Sequence, residues 1–196
     1  LELRAPVNGA LSILRRYAMN TGVTCNTVSR IIKGPGVVYA NYEPTTGEGT
    51  MLGATRGGNE FNPGLTLRDV AVDGVLGKVK GLTWKQRVEP TLTVRLVEIT
   101  SDNLTKAIAG ALEDGGSITG SPIADSTYLD NVALVAENND GTEMVYMVKN
   151  ALATAVNPIS HPDQNEAVLE VTFTGHFDCT DMDEEPWEII PLVLGS

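Results

Sequence analysis

Gly74-Val-Leu-Gly-Lys-Val-Lys-Gly-Leu-Thr-Trp-Lys-Gln-Arg-Val-Glu-Pro-Thr-Leu-Thr-Val-Arg-Leu-Val-Glu-Ile-Thr-Ser101 is the stretch on which the fold turns. From Leu82 onward its residues alternate. Leu82, Trp84, Val88, Leu92, Val94 and Leu96 fall on one side, and Thr83, Lys85, Arg87, Glu89, Thr91, Thr93 and Arg95 on the other. Period-2 alternation marks a strand with one buried and one wet face. Read as one strand with Trp84 in the core, it would extend about 50 Å. Ordinary strands stop after about five or six residues. So long a two-faced ribbon suits a protein that walls something larger than itself.

Upstream, Leu65, Leu67, Val70 and Val72 lead to Asp73-Gly74, a hairpin signal that feeds the long strand. Before them, residues 43–63 show little periodicity, and a loop longer than about 12–15 residues is uncommon unless it is functional or mobile. Val28–Lys33 and Val37–Tyr42 read as strands broken by Gly34-Pro35-Gly36. Leu3, Val7, Ala10, Leu11, Leu14 and Ala18 have helix-like spacing, which fits an amphipathic helix or an arm that orders against a neighbour.

Downstream, Thr100-Ser101-Asp102-Asn103 is a cluster of N-cap residues. Leu104, Ala107, Ile108 and Ala111 then form one helical face. A helix over 101–112 is predicted, stopped by Gly115-Gly116, with a Gly/Ser/Pro loop over Ser117–Ser126. Asn131–Glu137 and Glu143–Asn150 read as strands around the turn Asn138-Asn139-Asp140-Gly141. After a polar connection, Glu166–Phe177 reads as a strand with Leu169, Val171 and Phe173 inward. An acidic run, Asp178–Glu185, precedes the apolar Pro186-Trp187-Glu188-Ile189-Ile190-Pro191.

Short turns between consecutive strands argue against a parallel α/β sheet. The expected fold is mainly β: two packed antiparallel sheets, as a sandwich or barrel, with one flanking α-helix, a long inter-strand loop (43–64) and extended terminal arms. The expected organisation is an N-terminal arm over 1–27, a β domain over 28–177 and a C-terminal arm over 178–196.

The 196 residues carry a net charge of −11 with 42% hydrophobic and only 5% aromatic residues. The core is therefore aliphatic, and neither a basic nucleic-acid footprint nor an aromatic stacking platform is expected. Acidic surface repels DNA, which is useful where DNA must pass without sticking. Cys25 and Cys179 read as two free thiols rather than as a required bridge. No apolar run reaches the length of a membrane span. Arg15 and Arg16 follow the apolar residues of the first segment, the reverse of a signal peptide.

Candidate chemistry is thin. Gly53-Ala-Thr-Arg-Gly-Gly58 lacks the Lys-Ser/Thr of a phosphate loop. Gly116-Ser-Ile-Thr-Gly120 has its glycines at the wrong offsets for a nucleophile elbow. His161 and His176 lack metal-ligand spacing with Cys25, Cys179 or each other. Asp178, Asp181, Asp183, Glu184 and Glu185 lack the central Gly of a calcium loop and read as a solvated edge. Asn103-Leu-Thr105 matches a glycosylation acceptor but falls on the predicted helix. No acid/base or nucleophile/base couple stands out, so neither an enzyme nor a cofactor or metal is expected.

Several segments in order carry a resemblance: Gly53-Ala-Thr-Arg-Gly-Gly-Asn-Glu-Phe61, Leu67-Arg-Asp-Val-Ala-Val-Asp-Gly74, Gly77-Lys-Val-Lys-Gly-Leu82, Thr91–Leu104, Tyr128–Val135, Asn165–Asp178 and Glu185-Pro-Trp-Glu-Ile189. Over roughly Gly36–Ile189 the chain resembles the tail tube (major tail) proteins of long-tailed bacteriophages.

The resemblance implies a structural virion protein. Subunits would form hexameric rings that stack into a hollow tube, the conduit for DNA ejection. The partners it implies are further copies of the chain, the tape measure, tail tip and terminator proteins, and DNA that passes without specific binding. No membrane partner is implied. The protein would reside in the phage tail after assembly in the host bacterial cytoplasm. Arg56, Gly57, Gly58 and Phe61 are the expected inter-subunit loop contacts, and Trp187 and Ile189 those of the C-terminal arm. Lys85, Arg87, Glu89 and Arg95 are candidates for the lumen face. The alternative is another β-sandwich virion module, such as a capsid decoration or carbohydrate-binding domain.

Overall fold

Two antiparallel sheets share one strand. A computed structural model of the chain describes residues 22–159 and 161–192. The strands begin with β1 (Val37–Glu43), β2 (Glu48–Met51), β3 (Glu60–Asn62), β4 (Leu65–Asp69), β5 (Thr83–Val88) and β6 (Thr91–Leu96). Helix α1 (Ser101–Ala107) follows, then β7 (Ala111–Asp114) and β8 (Ser117–Gly120). The chain closes with β9 (Leu129–Glu137), β10 (Glu143–Val156), β11 (Leu169–Thr174) and β12 (Trp187–Leu192).

The shared strand is β10. Its first half, Glu143–Val148, pairs with β9 on one side and β12 on the other. Its second half pairs with β11 from Leu152 to Val156. Between them Asn150 sits at φ 44°, and the register slips between Ala153 and Ala155. The bend is held from outside: Asn150 Nδ2 donates to the His176 carbonyl, and His176 Nδ1 lies 3.1 Å from the Asn150 carbonyl. One sheet therefore runs β2-β1-β9-β10-β12, and the other runs β10-β11-β6-β3. The array stays open and does not close into a barrel.

The main core lies between the two sheets, and alternation fills it. Val38 and Ala40 come from β1, Val132 and Leu134 from β9, and Val148, Ala151 and Ala153 from β10. Leu92, Val94 and Leu96 of β6 meet Leu169, Val171 and Phe173 of β11 opposite. Phe173 is the largest of the fully buried side chains, and truncation of such a residue to Ala costs about 3–5 kcal/mol. A smaller cluster, Tyr42, Ala133, Val145 and Met147, sits apart from it.

Helix α1 is capped as its sequence demands. Thr100 Oγ1 accepts from Asn103 N, and Lys106 pairs with Asp102 one turn before it. Asn103 is buried, and its Nδ2 donates to the carbonyls of Leu52 and Glu98, which ties the helix to two strand ends. The glycosylation acceptor pattern at this residue is therefore closed off inside the fold. The helix ends earlier than the predicted 112. Ile108 is already extended, and Gly110 turns at φ 74° with Ser121 O against the place of a Cβ. Gly115-Gly116 is the turn of the β7–β8 hairpin, so Ser117–Ser126 is only partly loop.

Other expectations are corrected. Val28–Lys33 forms turns with a single bridge, Ile32 to Asn138, rather than a strand. Residues 43–63 are not structureless: β2 folds back on β1, β3 pairs with β6, and Thr55 bridges Leu96. The helix-like spacing from Leu3 to Ala18 lies outside the described residues. The segment after the acidic run is no loose arm over Trp187–Leu192, which is β12.

The long alternating strand is the largest correction. It divides at Glu89-Pro90 into β5 and β6. Proline has no N–H to give to a ladder, and Pro63-Gly64 breaks the opposing strand at the same level. The two halves still form one kinked hairpin: β3 pairs with β6 below the kink and β4 with β5 above it, joined by Glu89 N donating to Gly64 O at 3.0 Å. Only the lower half joins the core. Trp84, expected inside, is 63% exposed on the upper half.

Gly64 holds φ 60°, and a Cβ there would overlap the Glu89 carbonyl. Gly64→Ala is expected to lower stability by about 1–3 kcal/mol, read as a fall in the urea midpoint. Gly74→Ala also sits at positive φ but in open space, and is expected to cost visibly less. Equal losses would show that close approach at the kink does not matter.

Candidate assembly surfaces

Four surfaces of the described residues are candidates for contacts between copies. The first is the upper hairpin, β4–β5, with the connecting residues 70–82. Its two strands pack on each other and substantially on no other strand or helix. Most of its apolar residues lie in the open: Leu65, Leu67, Val70, Val72, Val75 and Val79 are exposed, Leu76 at the tip is entirely so, and Leu82 and Val88 are half-buried. Burying such side chains would yield about 1.5–3 kcal/mol each. Lys78 and Thr83 both bind Asp69, which holds that carboxyl below its usual range and braces the hairpin internally.

The second is the outer face of β6 and β11. Thr91 lies opposite Thr174 and Thr93 opposite Thr172. Thr93 Oγ1 is 3.1 Å from Thr172 Oγ1, and Thr154 Oγ1 of β10 is 2.5 Å from Thr174 Oγ1. This hydroxyl lattice carries one cation, Arg95, which Glu170 neutralises at 2.5 Å while the Gly58 carbonyl accepts from it.

The third is the loop segment from Gly53 to Phe61. Ala54 N donates to Glu98, and Asn59 Nδ2 to the carbonyl of Pro35. Arg56 forms an exposed ion pair with Glu166, and Gly57 lies beside the stem of Arg95. Phe61 opposes Leu92 and packs its ring on Tyr146 at 5.6 Å and on Trp187 at 6.3 Å.

The fourth is the C-terminal segment. Asp178 and Asp181 fold the acidic run onto itself through bonds to the backbone N–H groups of Thr180, Asp183 and Glu184. Lys149 then clasps the run to the body through Glu184 at 2.6 Å and Glu188 at 3.0 Å, and Lys85 reaches Glu185 from the hairpin. Burial pulls the Lys149 ammonium down, but its two carboxylate partners outweigh that, and its pKa rests above the ordinary lysine value. Ile189 of β12 is exposed while Trp187 is half-buried.

The structure thus separates residues that the sequence had grouped. Lys85, Arg87 and Glu89 belong to the projecting hairpin or its base, whereas Arg95 lies on the threonine face of the body. Arg56, Gly57, Gly58 and Phe61 stand together, with Phe61 and Trp187 in one aromatic cluster. Thr91-x-Thr93 and Thr172-x-Thr174 stand on the polar sides of strands recognisable in the sequence, but that they pair into one face follows only from the register.

His176 is spent on the β10 bend and stacks edge-on against Tyr128, while His161 lies on an exposed connection. Cys25 and Cys179 are both exposed and unbonded. Among the described residues no three of His, Cys, Asp and Glu gather where they could hold a metal ion. No helix among them is long and apolar enough to cross a membrane.

No family model matches the chain, and no curated protein matches it. Among solved structures it is similar to a chain of the sheath–tube complex of an extracellular contractile injection system, PVC, in the extended state. The match covers 91% of this chain and 97% of that one at 15% identity and a TM-score of 0.44.

The Lys149 clasp sets an alkaline limit. A lysine whose folded pKa is raised adds stability that is complete below the unfolded value, about 10.4, and is lost as pH rises through the folded one. The melting temperature is expected to fall more steeply above that pH in the wild type than in Lys149→Met. Parallel curves for the two proteins would remove the clasp from the account.

Proposed function

We propose that this chain is a non-catalytic, self-assembling subunit of a phage-type tail tube, in which hexameric rings stack into a hollow conduit for DNA. The observation that carries the proposal is the β4–β5 hairpin. It projects an uncovered apolar ladder from a body that has its own complete core. A monomeric protein rarely keeps so much aliphatic surface exposed, and such patches mark association sites. The resemblance of residues 36–189 to tail tube proteins supports the same reading from the sequence side.

The threonine face of β10, β11 and β6 is then the wall of the lumen. It presents hydroxyls and one neutralised ion pair, so it offers no free cation to a passing phosphate backbone. DNA affinity grows with each phosphate that a Lys or Arg neutralises, and a wall without them lets the duplex slide. Lys85 and Arg87 leave the lumen in this reading, since they lie on the hairpin. The open strand edges at β2 and β3 are available to neighbouring copies. The partners are further copies, the tape measure, the tail tip and the terminator, and the location is the virion, after assembly in the host cytoplasm. Trp84 is the one aromatic in the exposed class among the described residues, too few for the stacking platform of a carbohydrate-binding module.

Concentrated protein is expected to give six-fold rings or tubes in negative-stain images, and replacement of residues 72–80 by a short Gly-Ser turn to leave a folded monomer. A wild-type chain that sediments as a monomer at every concentration, alone and with tail-tip initiators, overturns the proposal. In tubes of a Cys25→Ser, Cys179→Ser, Thr93→Cys variant, a small maleimide is expected to label Cys at position 93 and a polymer-coupled one to fail. Equal labelling by both would put this face on the outside.

A further inference from the structure

The basic residues are not spread evenly. Residues 65–89 hold Arg68, Lys78, Lys80, Lys85 and Arg87 against Asp69, Asp73 and Glu89, a net charge of +2 on a chain whose total is −11. The rest of the molecule is therefore strongly negative. Two copies of such a chain repel each other at long range, so a contact between them needs opposite signs brought together locally. The hairpin is where this chain concentrates its cations.

A second projecting hairpin has the opposite character. Residues 111–125, which contain β7 and β8, hold Glu113, Asp114 and Asp125 and no Lys or Arg. Leu112 and Ile123 are exposed there, and Ile108 is exposed just before it. Beside them lies a cleft of about 400 Å³ lined in part by Leu112, Pro122, Ala124 and Leu129. The β7–β8 ladder is its own two-stranded sheet. Among the described residues, Glu113, Asp114 and Asp125 have no basic partner, and Arg68 and Lys80 have no acidic one.

We infer that the β4–β5 hairpin of one copy docks on the β7–β8 hairpin of a second copy, with Val75 and Leu76 covering Leu112 and Ile123 while Arg68 and Lys80 face Glu113, Asp114 and Asp125. The inference rests on the self-assembly reading and names the surface that the hairpin meets. Apolar side chains match apolar side chains, and unpaired cations match unpaired acids. The other acidic surface, Asp178–Glu185, is a poorer acceptor: Lys85 and Lys149 already occupy Glu185 and Glu184, and Asp178 and Asp181 are bound to their own backbone. A contact between two different patches is heterologous, and heterologous contacts build rings or filaments rather than closed dimers.

The test is charge exchange in the full chain, read by sedimentation and negative stain. Arg68→Glu/Lys80→Glu and Glu113→Lys/Asp114→Lys are expected to raise the assembly threshold at least tenfold each, with unchanged circular dichroism and melting temperature. Mixing the two variants one to one is expected to restore assembly, because each hairpin then meets an acceptor of opposite sign. Asp183→Lys, on the other acidic surface, is expected to assemble as the wild type does. Variants that assemble normally, or that fail and are not rescued by mixing, overturn the docking while leaving self-assembly intact. A disulfide between Leu76→Cys and Leu112→Cys, in a chain with Cys25 and Cys179 replaced by Ser, reports the contact directly. Cross-linked dimers without any rings or tubes would keep the docking and sink the tube. Absence of both cross-linked dimers and assemblies overturns docking and tube together.

Discussion

The structure depends on one bent strand. β10 serves both sheets because its backbone turns at Asn150, and an asparagine tolerates the left-handed conformation there better than most side chains do. The bend also needs its freed polar groups answered, and His176 and Asn150 answer each other across the gap. Without it the strand would run straight on from β9 and β12, and β11 and β6 would have no sheet to join. The inter-sheet core, and with it the placing of the threonine face on the outside of β6 and β11, follows from that turn.

A second break, at Glu89-Pro90 opposite Pro63-Gly64, divides labour within a single hairpin. Below it the alternation Leu92-x-Val94-x-Leu96 meets Phe173, Val171 and Leu169 and is buried. Above it the same alternation continues through Val88 and Trp84, but no second sheet stands opposite. Proline removes the ladder donor, Gly64 supplies the positive φ, and the ladder resumes on a new axis. The sequence pattern thus continues past the place where the monomer's own core ends.

That is why the fold class was legible from the residues and the details were not. Alternation in β6, β11 and β9, together with the turn Asn138–Gly141, identified paired antiparallel strands because each has its partner within the chain. The same pattern misplaced Trp84, since periodicity reports which face is apolar and says nothing about what covers it. Pro90 and Gly110 break the strand and the helix, but the apolar period runs through both positions, so periodicity alone does not register them. β2 and β3, at four and three residues, are too short to show any period, so the segment from Glu43 to Pro63 looked like loop. Trp187–Leu192 looked like an arm because its alternation is broken by Pro191 and its partner, β10, lies far away in sequence. For the candidate surfaces, the long hairpin was readable, while the pairing of threonines across β6 and β11 required the register.

The charges on the projecting hairpin argue for one geometry of association over another. An uncovered, two-stranded apolar ladder is a hazard, because its edges can pair with the same edge of another copy. Here Lys78 and Lys80 follow the tip residue Leu76, and with Lys78, Lys85 and Arg87 paired to Asp69, Glu185 and Glu89, Arg68 and Lys80 are the like charges that two such hairpins approaching side by side would bring together. Charged residues placed beside an obligatory apolar segment act as gatekeepers against that pairing. They leave the apolar ladder free only for a surface of opposite sign, and the remainder of the chain supplies such surfaces in excess. In the proposed assembly, self-repulsion between identical patches combined with attraction between different ones would disfavour the isologous dimer. The proposed self-assembly would then proceed by head-to-tail addition, in which each new copy presents the same free hairpin to the next.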